Sequence, residues 1–194
     1  IDFSLEDDYY GDTRFHIPFI AWYQVMNASL ALTAMEVLKD RIPVTLEQLQ
    51  AGIANTRWQG RMETILPGVI VDGAHNEDGV RRFVETAERF QKEYPLTLLF
   101  SAVNDKDYQD MIHTICSRIK FRKVVTTEVG GYREVPSAEL AEIFCKEGCK
   151  DVGNSDNIEE AFRMAHEAKG EDGMLFCVGS LYLVGEIKTL LLKK

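Results

Sequence analysis

The chain has 194 residues, of which 45% are hydrophobic and 27% are charged. This length and composition are typical of a globular protein with one domain, or with one domain and a piece of another. They exclude a disordered chain, a fibrous repeat and a disulfide-rich miniprotein. The net charge is −9 because 31 acidic residues outnumber 22 basic ones. Since an acidic surface repels a phosphate backbone, we expect no nucleic-acid partner.

The cysteines and the N-terminus indicate the cellular compartment of the protein. None of the four cysteines are spaced as C-x-x-C: they are Cys116, Cys145, Cys149 and Cys177. Free thiols in a reducing cytoplasm are the simplest interpretation, and a zinc pair from Cys145 and Cys149 would lack a second pair of ligands. An apolar run of about 18 residues and an apolar signal core are both absent, so we expect a cytoplasmic protein without a membrane partner. The sequence starts at Ile1, and we expect it to be cut from a longer chain.

The first third of the chain is predicted to be mainly helical. Residues 1–22 indicate short strands separated by turns. A largely apolar helix is predicted over residues 23–39, and a second helix over residues 46–54 with Thr45 as its N-cap. Residues 55–66 show no hydrophobic period, which indicates a connector.

From residue 68 onward, apolar runs alternate with helical patterns. Strands are predicted at 69–71, 96–103, 123–127, 150–153 and 174–178. Helices are predicted from residue 77 to 94 and at 108–119, 137–146, 158–169 and 181–192, with Ser137 as the cap of the third. This alternation predicts an α/β fold with β-α-β units and a mainly parallel sheet. In such sheets ligands bind at the carboxyl ends of the strands.

The densest polar cluster follows the strand at 69–71. Asp72 is expected at the strand tip, where a carboxylate accepts hydrogen bonds from ribose hydroxyls. His75 stands just before a helix that Asn76 caps, and the N-terminus of that helix attracts anions. A plain strand-to-helix turn, which uses Asp, Gly and Asn for their geometry, explains the same residues. Composition alone favours neither interpretation.

Three further clusters can each be interpreted either as part of a binding site or as purely structural. Arg61 lies in the connector, where an arginine either reaches across a cleft to a phosphate or pairs with Glu63. Lys106, between two acids, either binds an anion or pairs with its neighbours, and Ser180 either helps to bind an anion or simply caps a helix. The sequence contains neither a G-x-G-x-x-G nor a G-x-x-x-x-G-K-[ST] loop, so we expect no phosphate cradle within it.

Taken in order, these clusters resemble the folylpolyglutamate synthase and dihydrofolate synthase family of the Mur ligase superfamily. The matching segments are Trp58-Gln59-Gly60-Arg61-Met62-Glu63, Asp72-Gly73-Ala74-His75-Asn76, Asp105-Lys106-Asp107 and Gly179-Ser180-Leu181-Tyr182-Leu183. The helix that begins Tyr23-Gln24-Val25 also resembles a segment near the end of that family's central ATPase domain. The family usually has proline in place of Gln59 and of Glu77, and histidine in place of Tyr23. The resemblance covers the chain from about residue 20 to its end.

The resemblance implies the C-terminal portion of an ATP-dependent ligase. Residues 68–194 would form a Rossmann-like domain with helices on both faces, residues 58–67 a hinge, and residues 1–57 the end of the central ATP-binding domain. In these enzymes ATP phosphorylates a pterin carboxylate, and the amine of L-glutamate attacks the acyl phosphate. An amide forms, and ADP and phosphate are released. The substrates would be ATP, L-glutamate and either dihydropteroate or a reduced folate.

The resemblance also implies roles for individual residues. Asn27 would lie on the adenine side, Arg61 at the phosphates or ribose, and Asp72 would also bind ATP. His75 would be catalytic, close to the phosphate and the incoming glutamate. The glutamate side of the cleft has three candidates: Asp105, Lys106 and Ser180.

No metal ligand is expected in this chain, because the family's Mg²⁺ ligands and phosphate loop belong to the part upstream. We therefore expect the chain alone to be inactive, and the resemblance suggests a monomer. Arg133 receives no role, because its surroundings match the family poorly. Two alternatives stay open: another Mur-type amino-acid ligase, such as a cell-wall precursor ligase, and a free-standing α/β module that binds a nucleotide or metabolite.

Overall fold

In a computed structural model, which describes residues 1–129 and 131–192, the chain forms two compact units. The N-terminal unit comprises residues 1–59, and the C-terminal unit comprises residues 60–194. Within the described residues no helix is long and apolar enough to cross a membrane.

The N-terminal unit combines a small hairpin with two helices. Strand β1 (Asp2–Ser4) pairs antiparallel with β2 (Arg14–His16), and the helices are α1 (Tyr23–Val37) and α2 (Leu46–Ala54). The predicted cap of α2 is confirmed: the Thr45 hydroxyl accepts from the Gln48 N–H while the Gln48 side chain accepts from the Thr45 N–H.

The C-terminal unit contains a sheet of six strands and five helices. The strands are β3 (Glu63–Leu66), β4 (Val69–Asp72), β5 (Leu96–Phe100), β6 (Phe121–Thr126), β7 (Val152–Asn154) and β8 (Met174–Val178). The helices are α3 (Glu77–Gln91), α4 (Tyr108–Arg118), α5 (Ser137–Lys146), α6 (Ile158–Lys169) and α7 (Leu181–Leu192). The strand order is β3-β4-β8-β5-β6-β7, and every pairing is parallel except that of β3 with β4. The predicted α/β fold with a mainly parallel sheet is confirmed.

Both faces of the sheet are covered by helices, which explains why the central strands are mostly apolar and are buried nearly throughout. On one face, side chains such as Val71, Leu99 and Cys177 join a core with residues of α6 and α7. On the other face, Phe176 of β8 makes an edge-on contact with Phe83 of α3, and Phe100 of β5 makes one with Phe144 of α5. The Rossmann-like arrangement expected from the resemblance is confirmed.

Two local predictions were wrong. Residues 63–66, predicted as part of a connector, form the edge strand β3, which pairs with the following strand. Its four residues are too few to show a hydrophobic period. Ser137 does not cap α5, because Pro136 occupies the cap position. Instead the Ser137 N–H donates to the Glu128 carboxylate at 3.0 Å, and the hydroxyl bonds to Asp156.

Candidate functional site at the carboxyl ends of the strands

The carboxyl ends of the parallel strands lie in one row. Asp72 of β4 is in register with Val178 of β8, Val178 with Phe100 of β5, and Phe100 with Thr126 of β6. Neighbouring strands lie about 4.8 Å apart, so the polar segments that follow these strands share one edge of the sheet. This is the edge at which α/β sheets bind ligands.

Asp72 is the most buried acidic group at this edge, with 3% of its surface exposed. One carboxylate oxygen accepts from the Met62 N–H and the other from the Ala74 N–H, each at 2.8 Å. Burial raises the pKa of Asp72 from its ordinary value of 3.8 to about 6. The two backbone hydrogen bonds limit that rise, and the electrostatic interactions of the carboxylate with Arg61 and His75 limit it further. The carboxylate therefore holds the segment before β3 against the tip of β4.

The segment 60–63 is fixed by further contacts. The Gly73 N–H donates to the Gly60 carbonyl at 2.7 Å, and the Gly60 N–H donates to the Glu63 carboxylate at 2.7 Å. That carboxylate also pairs with Lys188 of α7 at 2.8 Å. Among the non-glycine residues that the structure describes, Met62 alone has a positive φ, of 45°. Such backbone strain is common in binding loops, and this loop carries Arg61.

His75 is held in one orientation at the start of α3. Its Nδ1 lies 2.7 Å from the Gly73 carbonyl. Because a carbonyl only accepts, Nδ1 carries the proton, and Nε2 is then the nitrogen that faces other groups. The side chain of the next residue, Asn76, accepts from the Gly79 N–H at 2.9 Å, which confirms it as the N-cap of α3. The first turn also contains Glu77 and Asp78, and their negative charges oppose an anion at this helix end.

A second group of charged side chains follows β5. The Arg133 guanidinium pairs with Asp105 at 3.1 Å and donates to the Tyr182 hydroxyl at 2.7 Å. Arg133 lies in the single 3₁₀ turn Gly131–Arg133 after β6, and Tyr182 lies in the first turn of α7. One guanidinium thus joins the loops after β5 and β6 to the helix after β8.

Lys106 stands beside this group without joining it. Asp105 pairs with Arg133, and Asp107 caps α4 by accepting from the Asp110 N–H at 3.2 Å. In the described part of the chain, Lys106 forms no ion pair with either flanking acid, which was one of its two predicted interpretations. Lys106 is half-exposed and follows β5 at the row of strand ends, and a lysine ammonium suits an anionic ligand.

The start of α7 connects the two groups. Leu181 lies so close to Gly73 that a β-carbon at Gly73 would overlap its side chain, while the adjacent Tyr182 bonds to Arg133. Ser180 is 2% exposed, and its hydroxyl accepts from the Tyr182 N–H at 3.1 Å. Ser180 therefore has the geometry of a capping residue, the simpler of its two interpretations.

Three buried hydroxyls have no hydrogen-bond partner within the described residues. They belong to Thr97, Ser101 and Thr127. Ser101 directly follows β5 and Thr127 directly follows β6, so two of these three hydroxyls lie in the row of strand ends. Unpaired buried hydroxyls are costly and are concentrated at functional sites.

The structure thus brings most of the predicted residues to one edge. Arg61, Asp72 and His75 surround the tip of β4, and Asp105 and Lys106 follow β5. Asn27 lies in the N-terminal unit, on α1, where its amide donates to the Gln24 side chain at 2.9 Å. The sequence analysis gave no role to Arg133 or to Tyr182, which the structure joins. Tyr182 lies in one of the segments that resemble the family, but its arginine partner is 49 residues away.

Comparison with known proteins places this edge in a family. Residues 60–181 match the family described as Mur ligase, glutamate ligase domain. The chain belongs to the Mur ligase family. The match contains the polar group around Asp72, and it contains Asp105 and Arg133 of the second group. It ends one residue before Tyr182. The resemblance to this superfamily is confirmed.

Individual Mur ligase relatives give a narrower likeness. A Bacillus subtilis protein named dihydrofolate synthase/folylpolyglutamate synthase is 30% identical over 194 residues, which is 96% of this chain and 43% of the relative. The folylpolyglutamate synthase of Mycobacterium tuberculosis, solved with ADP and AMPPCP, is 25% identical. Its TM-score is 0.77 over 91% of this chain and 42% of that one. The chain therefore spans less than half the length of these relatives.

The fold itself is shared with more distant structures. E. coli FolC, solved in complex with ADP and without folate substrate, has a TM-score of 0.80 at 19% identity. The match covers 92% of this chain and 41% of that one. At this identity the likeness concerns the fold, and it extends over both compact units.

Proposed function

We propose that the chain is the C-terminal portion of an ATP-dependent ligase that adds L-glutamate to dihydropteroate or tetrahydrofolate. The observation that carries the proposal is the row of strand ends, where Arg61, His75, Lys106 and Arg133 stand within a glutamate ligase domain. The reaction would join a carboxylate and an amine through an acyl phosphate, with release of ADP and phosphate. The three phosphates of ATP and the two carboxylates of glutamate are anions, which the two arginines and the lysine would bind.

The proposed roles follow the geometry of the two groups. Arg61 would reach the phosphates of ATP, because the backbone of its neighbours Gly60 and Met62 is bonded to the tip of β4. His75, with Nδ1 bonded to Gly73, would direct Nε2 toward the phosphate and the incoming glutamate. Lys106 would bind a carboxylate of glutamate. Asn27 would contact the adenine side from the N-terminal unit.

Asp72, Asp105 and Ser180 would act as positioning residues. Asp72 has both oxygens bonded to backbone N–H groups and 3% exposure, so we assign it to holding the loop of Arg61. Asp105 would orient Arg133. Ser180 would fix the first turn of α7, from which Tyr182 reaches Arg133.

The proposed reaction also uses Mg²⁺ with ATP. Within the described residues, no group of three or more His, Cys, Asp and Glu side chains is arranged to hold a metal ion. We propose that its ligands belong to a part of the ligase outside this chain.

The domain organisation is part of the same proposal. Residues 1–57 would be the end of the central ATP-binding domain, residues 58–67 the hinge, and residues 68–194 the Rossmann-like domain. Catalysis across two domains depends on positioning, so the chain alone is expected to be inactive. From the acidic net charge and the free thiols, we further propose a cytoplasmic protein without nucleic-acid or membrane partners. The family resemblance is our reason for proposing a monomer.

The first prediction concerns the reaction itself. The longer protein that contains this chain is expected to release phosphate when it is given Mg-ATP, L-glutamate and either dihydropteroate or tetrahydrofolate. Turnover with both pterins would indicate a bifunctional enzyme, and turnover with tetrahydrofolate alone a dedicated polyglutamate synthase. Residues 1–194 alone serve as the control and are expected to give no turnover. An enzyme that is inactive with both pterins but active on a cell-wall precursor would refute the proposal that its substrate is a folate.

The second prediction isolates the proposed glutamate cation. Lys106→Met keeps the aliphatic length of the side chain but removes the charge, so we expect the KM for L-glutamate to rise roughly tenfold or more. The KM for ATP should change little. The matched control is Lys146→Met, which removes an exposed lysine at the end of α5. Equal effects of the two substitutions on glutamate KM would show that Lys106 has no special role.

A further inference from the structure

Two cysteines meet at the edge of the sheet opposite to the candidate site. The Sγ atoms of Cys116 and Cys149 are 3.6 Å apart, although the residues are separated by 33 positions in the sequence. Cys116 lies near the end of α4, and Cys149 follows the end of α5. Because these helix ends lead into β6 and β7, the thiols lie beside the amino ends of the strands. The pair is therefore remote from the row that contains Asp72.

Both thiols are accessible from solvent. Each is half-buried, and both line a surface cavity of about 490 Å³. The cavity is rimmed by exposed residues, namely Lys120, Glu147, Gly148 and Lys150. A small oxidant therefore reaches this pair, whereas the fourth cysteine, Cys177, is fully buried in β8.

We propose that Cys116 and Cys149 are a modification site at which a hydroperoxide forms a reversible intramolecular disulfide. The contact distance supports this, because a disulfide requires the sulfur atoms to approach to about 2.05 Å. The necessary movement is close to 1.5 Å, by difference from the 3.6 Å separation. Gly148, the neighbour of Cys149, has φ of +93°, and no atom lies within 4 Å of a β-carbon added there, so the loop has space on that side of the chain.

The reaction would proceed in two balanced steps. With hydrogen peroxide as the oxidant, the Cys149 sulfur attacks one peroxide oxygen and the O–O bond breaks. The departing hydroxide takes up the proton of the Cys149 thiol, so a sulfenic acid and one water form. The Cys116 sulfur then attacks the sulfenic sulfur, the S–S bond forms, and the hydroxyl leaves with the Cys116 proton as a second water. Two thiols are oxidised and one hydroperoxide is reduced.

The electrostatics of the pair favour Cys149 as the attacking group. A hydrogen bond from the Cys116 thiol lowers the pKa of Cys149, against the opposing effects of burial and of the Glu147 carboxylate. The pKa of Cys116 is raised by the same contact with Cys149 and by burial. The thiolate is the reactive form of cysteine. A metal at this place would need more ligands, and the described residues hold no cluster of three suited to a metal ion.

The test is peptide mapping of the intact protein after exposure to hydrogen peroxide. Free thiols are alkylated under denaturing conditions, and the unreduced protein is digested with trypsin and analysed by mass spectrometry. Cleavage after Lys106, Arg118, Lys146 and Lys150 places Cys116 in peptide 107–118, Cys149 in 147–150 and Cys145 in a separate peptide. We expect peptides 107–118 and 147–150 to be joined, and to separate on treatment with a dithiol reductant.

Matched variants identify the partners. Cys145→Ser removes an exposed thiol four positions from Cys149 and should leave the linked peptide unchanged. Cys116→Ser should abolish the link and leave a sulfenic acid on Cys149, which a cyclic 1,3-dione would trap. A link between Cys145 and Cys149 would overturn the proposal. So would complete alkylation of Cys116 and Cys149 at a peroxide dose that oxidises Cys145.

Discussion

Gly179→Ala is expected to destabilise the C-terminal unit by about 3 kcal/mol or more. Gly179 links β8 to α7 with φ of +111°, a conformation that L-residues rarely adopt. A β-carbon there would also overlap the backbone carbonyl oxygen of Ser101, which directly follows β5. Strain in the backbone costs about 1–3 kcal/mol and overpacking a similar amount. Ser101 lies in the row of strand ends. A shift of its backbone that relieved the overlap would therefore displace the candidate site as well.

The control lies six positions further along the same segment. Gly185 is inside α7, and no atom lies within 4 Å of its added β-carbon. Gly185→Ala is therefore expected to stabilise the protein by about 0.5–1 kcal/mol. Denaturant unfolding followed by far-ultraviolet circular dichroism would measure both changes. Tryptophan fluorescence would not, since Trp22 and Trp58 both lie in the N-terminal unit. Wild-type stability of Gly179→Ala would contradict the close approach to Ser101.

The sequence is most informative where burial alone decides the structure. The strands at 69–72, 96–100 and 174–178 are buried nearly throughout, and their apolar runs predicted them directly. Strand β3 was missed because it is short and lies at the sheet edge, where its antiparallel pairing with β4 depends on the tertiary arrangement. The position of Ser137 was misjudged for a similar reason, since Glu128 and Asp156 bind it from other segments.

The same distinction applies to the candidate site. The position of the site at the carboxyl ends of the strands was predicted, because parallel strands bring together the residues that follow them. The bonds within it were not, because they join distant segments: Arg133 lies 28 positions from Asp105 and 49 from Tyr182. Asp72 was expected to face a ligand. Its bonding to the Met62 and Ala74 backbone depends on a loop geometry that no residue pattern specifies.

The buried Asp72 carboxyl should make stability depend on pH. Its pKa is about 6 in the folded protein against an ordinary value of 3.8, so the folded state binds more protons between these values than the unfolded state does. The contribution is therefore fully present below about pH 4 and is lost as the pH rises through about 6. At about 1.4 kcal/mol for each pKa unit, the free energy of unfolding should fall by about 3 kcal/mol over this range.

The measurement compares the wild type with Asp72→Asn, unfolded in denaturant at several pH values and followed by circular dichroism. Other titrating groups cancel in the difference between the two proteins, and the stability of the wild type relative to Asp72→Asn should decrease by about 2.4 kcal/mol from pH 4 to pH 7. A difference that is flat or grows with pH would contradict the raised pKa, and a carboxyl ¹³C titration would confirm its value directly.

At neutral pH the ionised Asp72 is thus destabilising by itself, yet it anchors the loop of Arg61 through the Met62 N–H. If Asp72→Asn gains stability at pH 7 while the longer protein loses activity, the carboxylate serves the position of Arg61 rather than the fold.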